Sequence, residues 1–194
     1  FCMLLKAEAQ VLGVDFQFGS AIARIEAGPP VTLRLADGSV RGFDALVCCA
    51  GLGSAPLLRP LGLHLPLAAV YGYSITATIR EGLNAPRSAV MDERYKVAIS
   101  RLGQRVRVAG SAEIGGRPDV HREASVQTLY KVLHDWFPGA ASMQAGVQVW
   151  KGARPMLPDG PPVLGASGIP GVWLNLGHGS SGWALSCGSA RVLA

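Results

Sequence analysis

The sequence closes on "VWLNLGHGSSGWALSCGSARVLA", residues 172–194. Within it, Gly177-His178-Gly179-Ser180-Ser181-Gly182 has the spacing G-x-G-x-x-G, with an apolar strand-like run before it and a helix-like run after it. A dinucleotide fingerprint needs a second strand after the helix and an acidic residue about 20 positions past the glycines to hold a ribose. Only 12 residues follow Gly182, and none is Asp or Glu. The stretch is therefore not the first βαβ unit of a dinucleotide domain within this chain. Two readings stay open. One is a plain strand-to-helix turn. The other is a helix N-terminus whose unpaired N–H groups and partial positive charge receive an electron-rich edge of a flat ligand. On the second reading Gly177, Gly179 and Gly182 let the ligand approach the backbone, with Ser180 and Ser181 between them. His178 stands apart from the other histidines because it lies inside this turn.

Working outward, the chain has 194 residues, enough for one sizeable core or two small lobes. Apolar residues make up 49% and charged residues 16%, which excludes a disordered chain. No apolar run reaches the roughly 18 residues of a membrane span. The sequence starts inside a helix-like stretch, which is expected of a piece of a longer protein. The net charge of +5 would suit a nucleic-acid binder. Yet the arginines are scattered, and the one dense group, Arg101, Arg105 and Arg107, has no interleaved aromatics. No nucleic-acid partner is expected. The four cysteines, Cys2, Cys48, Cys49 and Cys187, show no C-x-x-C and no zinc spacing. Neither a metal site nor a structural disulfide is expected, and a reducing, cytoplasmic compartment is the simplest reading.

Residues 1–12 read as the end of a helix stopped by Gly13. "VDFQF", residues 14–18, resembles a short buried strand, and Ile22 and Ile25 suggest another. Val31, Leu33 and Leu35 alternate with Thr32 and Arg34, the period of a half-buried strand. Asp37-Gly38 is a two-residue hairpin signal. "ALVCCA", residues 45–50, is continuously apolar, as for a strand buried on both faces. It ends at Gly51-Leu52-Gly53-Ser54, the kind of strand end where ligands bind in open α/β sheets. Residues 66–112 change character to short β-like runs that predict an antiparallel sheet. Val126, Leu129, Tyr130 and Leu133, then Trp136 and Phe137, predict a helix stopped by Pro138-Gly139. "GVQVWKGARP" predicts a strand, and "PDGPPVLG" a turn into another. The order is α/β-like, then mostly β, then α/β-like again.

Arg154, in "WKGARPMLPDGPP", is either a surface charge or a fork pointing into a cleft to bind a carboxylate bidentately. Tyr71 and Tyr73 share a strand face; they either pack or border a substrate pocket. No Ser-His-Asp arrangement, nucleophile elbow or carboxylate pair is present.

Together, "FDALVCCAGLGS", "LPLAAVYGYSIT", "WKGARPMLPDGPPVLG" and the closing stretch resemble the C-terminal half of the FAD-dependent D-amino-acid dehydrogenases, within the D-amino-acid oxidase and glycine oxidase superfamily. The resemblance runs over nearly the whole chain. Its most specific parts are G-x-RP-x-x-PDG-x-P and GHG-x-x-GW. It implies a mixed α+β and α/β fold, a partial Rossmann-like FAD-binding domain with an antiparallel-sheet substrate domain inserted into it. Residues 1–65 would be FAD domain, 66–150 substrate domain and 151–194 the return. It implies FAD as cofactor, oxidation of D-amino acids to imino acids and then 2-oxo acids and ammonia, and Arg154 on the substrate carboxylate. Glycine, sarcosine or cyclic D-imino acids are the neighbouring substrate classes. The backbone at Ala50 and Gly51 would run beside FAD, Ile22 would pass the adenine, and the Gly177–Gly182 turn would face the pyrimidine edge of the flavin. Tyr73 would lie on the strand facing the substrate side. Electrons would pass to a respiratory acceptor, with any contact with the inner membrane peripheral. The family's N-terminal ADP-binding fingerprint does not occur in this chain, so the isolated chain is expected to hold FAD weakly or to be a non-catalytic fragment.

Overall fold

The computed structural model describes residues 1–194. Two hydrophobic cores organise it. One is built on a five-stranded antiparallel sheet and the other between two three-stranded sheets.

The larger sheet is made by β5 (Ala68–Thr78), β6 (Val90–Asp92), β7 (Val97–Leu102), β8 (Arg105–Ile114) and β9 (Gln148–Met156), in the order β6-β7-β8-β5-β9. Its longest strand is β5, paired with β8 and β9, rich in β-branched and aromatic residues and buried over 70–75. The two-residue period sends Tyr73, Ile75 and Ala77 to one face. There α3 (Glu123–Trp136) lies across them and buries Leu129, Val132 and Leu133. Each of these fully buried side chains contributes roughly 1.5–3 kcal/mol. The helix stops at Pro138-Gly139, where Gly139 turns left-handed at φ +75°. Trp136 does not continue the buried stripe. It faces outward, and its Nε1–H donates to Asp92 Oδ2 at 2.7 Å, tying helix to hairpin.

The second core gathers Ile25, Val31, Cys48, Leu58, Val172, Leu174 and Leu176. Its strands are β1 (Ile22–Glu26), β2 (Val31–Leu35) and β3 (Val40–Phe43) in one antiparallel sheet. The other sheet has β4 (Leu46–Cys48), β10 (Val163–Ala166) and β11 (Val172–Leu176), in the order β10-β11-β4. The β11–β4 pairing is parallel, so two stretches more than 120 residues apart in sequence share one sheet. The short α2 (Ser54–Leu58) follows β4, α1 (Cys2–Val11) opens the chain and α4 (Gly182–Leu193) closes it.

Three local expectations are corrected. Residues 14–18 form no strand and are exposed, because no strand lies alongside to take their backbone hydrogen bonds; Phe16 and Phe18 stack on each other. "ALVCCA" yields a three-residue strand at a sheet edge, with Val47 45% exposed, so only Cys48 is buried. The Leu35 amide donates to the Ser39 carbonyl, so the hairpin loop is the three residues 36–38, with the Gly38 amide donating to the Leu35 carbonyl and Gly38 in the left-handed region. That is a type I turn closed by a bulge rather than a two-residue turn.

The helix α1 buries none of its residues, and Phe1, Met3, Leu4 and Leu5 face outward. Phe1 packs edge-on against Trp183 of α4 with ring centroids 5.7 Å apart. No helix is long and apolar enough to cross a membrane.

Two carboxylates on the larger sheet make stability depend on pH. The hydroxyl of Tyr73 and the ammonium of Lys151 hold the Glu113 carboxyl below its ordinary value. The Trp136 and Tyr95 N–H groups do the same to Asp92. A carboxylate with a depressed folded-state pKa stabilises fully above its unfolded value, and that stability is lost as pH falls through the folded one. Thermal midpoints are therefore expected to fall on acidification through and below the ordinary carboxylate range. Glu113→Gln and Asp92→Asn should each flatten that slope; an unchanged slope in both would remove these groups as its cause.

Candidate functional site

Three stretches far apart in sequence meet at the end of β9. Arg154, Pro155 and Met156 are its last residues. Pro155 faces Gly51, whose turn (Gly51–Gly53) follows β4. Met156 pairs with His178 across an isolated bridge and packs against Gly179. The closing glycine turn, a single tight helical turn over Gly179–Ser181 leading into α4, is thereby laid against the end of the five-stranded sheet.

The fit depends on glycine. Gly177 has φ +78°, and a Cβ there would stand 2.6 Å from Leu157 Cδ1. Gly179 has φ +56°, with a Cβ position 3.1 Å from Met156 Cγ. Both the backbone conformation and the space select a residue without a side chain.

Arg154 pairs with Val70 of β5, so its side chain lies on the sheet face opposite α3. The guanidinium lies flat over Gly72, where any Cβ would overlap it. Its Nη1–H donates to the Ser111 carbonyl at 3.1 Å, the only hydrogen bond of its side chain within the chain. Ser111 sits in a bulge of β8 with φ +68°, between the pairs Tyr71↔Glu113 and Tyr73↔Gly110. The bulge turns that carbonyl out of the ladder toward the arginine. Arginine carries five N–H donors, so four remain for a ligand.

Around Arg154 lies an open cleft of about 820 Å³. Val70, Ala98, Ala109 and Met156 supply apolar wall, Met91 and Tyr95 come from the β6–β7 hairpin, and Ser180 from the glycine turn. The cleft thus has one half-buried, uncompensated fork in apolar surroundings, with the glycine turn at its rim. A smaller hollow of about 660 Å³ beside α2 is lined by Ala55, Pro56, Arg59 and His64 and by none of the cleft's residues.

The predicted site residues divide. Arg154, Gly51, Gly177, Gly179 and Ser180 come together, and Ala50, Ser181 and Gly182 flank them in the same two turns. Tyr73 is not brought to the cleft. It is 1% exposed, on the α3 face, with its hydroxyl donating to Glu113 and accepting from the Arg122 N–H at 3.0 Å. The pairing Tyr73↔Lys151 against Val70↔Arg154 sets this parity. Ile22 lies apart, on β1. His178 borders the convergence, but its Nε2 lies 2.9 Å from Ser189 Oγ on the second turn of α4. The ring fixes the turn to the helix and is a positioning group. Sequence reading missed Gly72, Ser111 and Lys151. Gly72 carried a signal, since a glycine between two strand tyrosines marks a close approach of other groups to the backbone.

The family described as FAD dependent oxidoreductase (DAO) matches residues 1–194. A D-amino acid dehydrogenase of Bradyrhizobium diazoefficiens is 46% identical over 195 residues, and one of Methylobacterium radiotolerans 44% over 196. Each comparison covers 100% of this chain and 46% of the relative, so the chain spans about half the length of the curated relatives it matches. Among solved structures, glycine oxidase from Bacillus cereus superposes with a TM-score of 0.79 at 19% identity, covering 95% of this chain and 50% of that one. Iminodiacetate oxidase from Chelativorans gives 0.76 at 21% identity, covering 88% and 47%. These structures share the fold.

Proposed function

The chain belongs to the FAD dependent oxidoreductase family, and from that premise we propose that it forms the flavin-ring and substrate half of an enzyme oxidising D-amino acids. One observation carries this reading: Arg154 lies half-buried in an apolar cleft with a single backbone hydrogen bond and four free donors, an arrangement that calls for a carboxylate.

The residues present fit the flavin end of FAD. The glycines at 177 and 179 seat their turn tightly against Leu157 and Met156, and a helix N-terminus opens beside it. That N-terminus favours negative charge developing on a ring edge placed against it. Ala50, Gly51 and the Gly177–Gly182 turn would hold the ring, with Ile22 toward the adenine end. When bound, FAD supplies the two-electron acceptor for oxidation of the amino acid's Cα–N bond to an imine, which water hydrolyses to a 2-oxo acid and ammonia. Arg154 binds the carboxylate as a fork and so fixes which hydrogen on Cα faces the ring, a contribution of orientation. Val70, Ala98, Ala109 and Met156 would give the apolar part of the substrate a surface to lie on. His178 holds the glycine turn in place through Ser189. No side chain of the cleft is required as a base when the amine arrives uncharged.

We propose that the division of the chain follows the two cores. We place the FAD-side segments at 1–65 and after Met156, since β9 runs unbroken within the substrate-side sheet through residue 156. The outward apolar face of α1 and Trp183 supports an FAD-side half that is one part of a larger domain. A respiratory electron acceptor and peripheral association with a membrane complete the proposal.

The test is dye reduction by the intact, FAD-loaded protein with D-alanine and with L-alanine. Reduction is expected with the D-enantiomer alone. Turnover of L-alanine in preference to D-alanine would overturn the substrate reading, and purification without any flavin absorbance after FAD loading would overturn the cofactor reading.

A further inference from the structure

On the face of the five-stranded sheet away from the cleft, Lys151 is buried, its side chain only 2% exposed. Its ammonium has three N–H donors, and all three are used. One goes to Glu113 Oε2 at 3.0 Å. The other two go to the carbonyls of Arg117 and Val120, each at 2.7 Å. The same nitrogen stands 4.4 Å from the ring centroid of Tyr71 and 5.2 Å from that of Tyr73. Glu113 in turn accepts the Tyr73 hydroxyl. A buried ion pair adds little to stability compared with an apolar substitute, so a network this complete invites a question of what it specifies.

Its members bracket the seat of Arg154. Tyr71 and Tyr73 flank Gly72, the floor under the guanidinium. Glu113 lies two residues beyond Ser111, whose carbonyl holds Arg154. Lys151 lies three residues before Arg154 on the same strand. Glu113 pairs with Tyr71 on one side of the β8 bulge, while the hydroxyl it accepts belongs to Tyr73, paired on the other side. The contact therefore straddles the bulge, and Lys151 ties β9 to both of its sides. If the extra residue of β8 slipped back into the ladder, the Ser111 carbonyl would turn away from the arginine.

We propose that the buried Lys151–Glu113–Tyr73 network is a clamp that positions Arg154 by locking the Ser111 bulge, which makes Lys151 and Glu113 positioning residues for carboxylate binding. This rests on the reading of Arg154 as the carboxylate fork. A network serving stability alone would move the melting temperature and leave ligand affinity untouched. A positioning network changes affinity in protein that is fully folded.

The experiment is a titration of the intact protein with D-lactate, the hydroxy isostere of D-alanine, followed by calorimetry or NMR at a temperature well below every variant's unfolding. Lys151→Met retains the apolar stem over the tyrosines, and Glu113→Gln retains the shape of its partner. Each is expected to weaken D-lactate about tenfold and to raise KM for D-alanine with kcat nearly unchanged. Neither should weaken it further when Arg154 is already alanine, because both act through that side chain. Leu129→Ala, a core truncation under the same sheet, should lower the melting temperature with parental D-lactate affinity. If Lys151→Met and Glu113→Gln bind D-lactate like the parent, the clamp is refuted. The same follows if their losses add in full to that of Arg154→Ala. If Arg154→Ala itself leaves D-lactate affinity unchanged, the fork reading fails first and the clamp with it. Should Lys151→Met not fold, Glu113→Gln and its combination with Arg154→Ala decide alone.

Discussion

Replacing Arg154 with alanine is expected to weaken carboxylate binding about a hundredfold or more, with little change in the melting temperature. The size follows from what is removed. Truncating one partner of a desolvated, hydrogen-bonded charge pair costs about 2–5 kcal/mol, and each 1.4 kcal/mol is about tenfold. The stability side follows from what remains. Arg154 makes one hydrogen bond within the chain, to Ser111, and no ion pair, so its loss leaves only a carbonyl at the edge of an open cleft. Water can satisfy that carbonyl. Arg154→Lys separates charge from shape. The ammonium keeps a positive charge but not the planar fork, so it should recover only part of the affinity. The check is KM and D-lactate affinity in the intact protein beside thermal melts of the same variants. A lysine variant equal to the parent would mean that charge alone recruits the ligand. An alanine variant equal to the parent would take Arg154 out of the site.

How far this site could be read from sequence depends on which contacts are local. The helix α3 was legible because Val126, Leu129, Tyr130 and Leu133 repeat at helical spacing and Pro138-Gly139 stops it. The β5 run was legible from its β-branched and aromatic residues. The convergence of Arg154 with the two glycine turns was legible only through the resemblance, since spacing does not say that β9 ends against both. Tyr73 shows where reading failed. Its strand was right, but which way it points depends on the register Val70↔Arg154 between β5 and β9, separated by more than 80 residues. A register shifted by one residue would have put Tyr73 on the arginine's side. "VDFQF" failed for a related reason: an apolar extended run becomes a strand only where another edge accepts its hydrogen bonds. "ALVCCA" looked buried on both faces because hydropathy records what a side chain prefers, and β4 at its edge position leaves Val47 exposed. His178 was singled out for its place in the turn. Its partner Ser189 lies 11 residues on, reached only once α4 folds back over the ring.

The closing glycine turn makes the second large prediction. Gly177→Ala is expected to cost about 2–5 kcal/mol, from two sources that can be told apart. A left-handed conformation at an alanine costs about 1–2 kcal/mol, and Gly177 has φ +78°. Crowding adds about 1–3 kcal/mol, because the new methyl would stand 2.6 Å from Leu157 Cδ1 and 3.0 Å from its Cγ. Leu157 is buried and has little room to withdraw. Gly160 supplies the comparison. It has φ +90° in the Pro158-Asp159-Gly160 turn, and nothing stands within 4 Å of its Cβ position. Gly160→Ala should therefore show the backbone cost alone. At a shift of roughly 2–4 °C per kcal/mol for a chain of this size, the two variants should melt several degrees apart, Gly177→Ala lower. Equal melting temperatures would mean that Leu157 yields and that only backbone conformation selects glycine at 177. Function divides the two further. Gly160 lies in a turn outside the convergence, so Gly160→Ala should keep the parent's FAD affinity. Gly177→Ala pushes the turn off the end of β9, moving the helix N-terminus from the rim of the Arg154 cleft, and should weaken FAD binding even where the protein is fully folded. A Gly177→Ala protein that binds FAD like the parent would show that the close seat of this turn on β9 serves packing and not the cofactor.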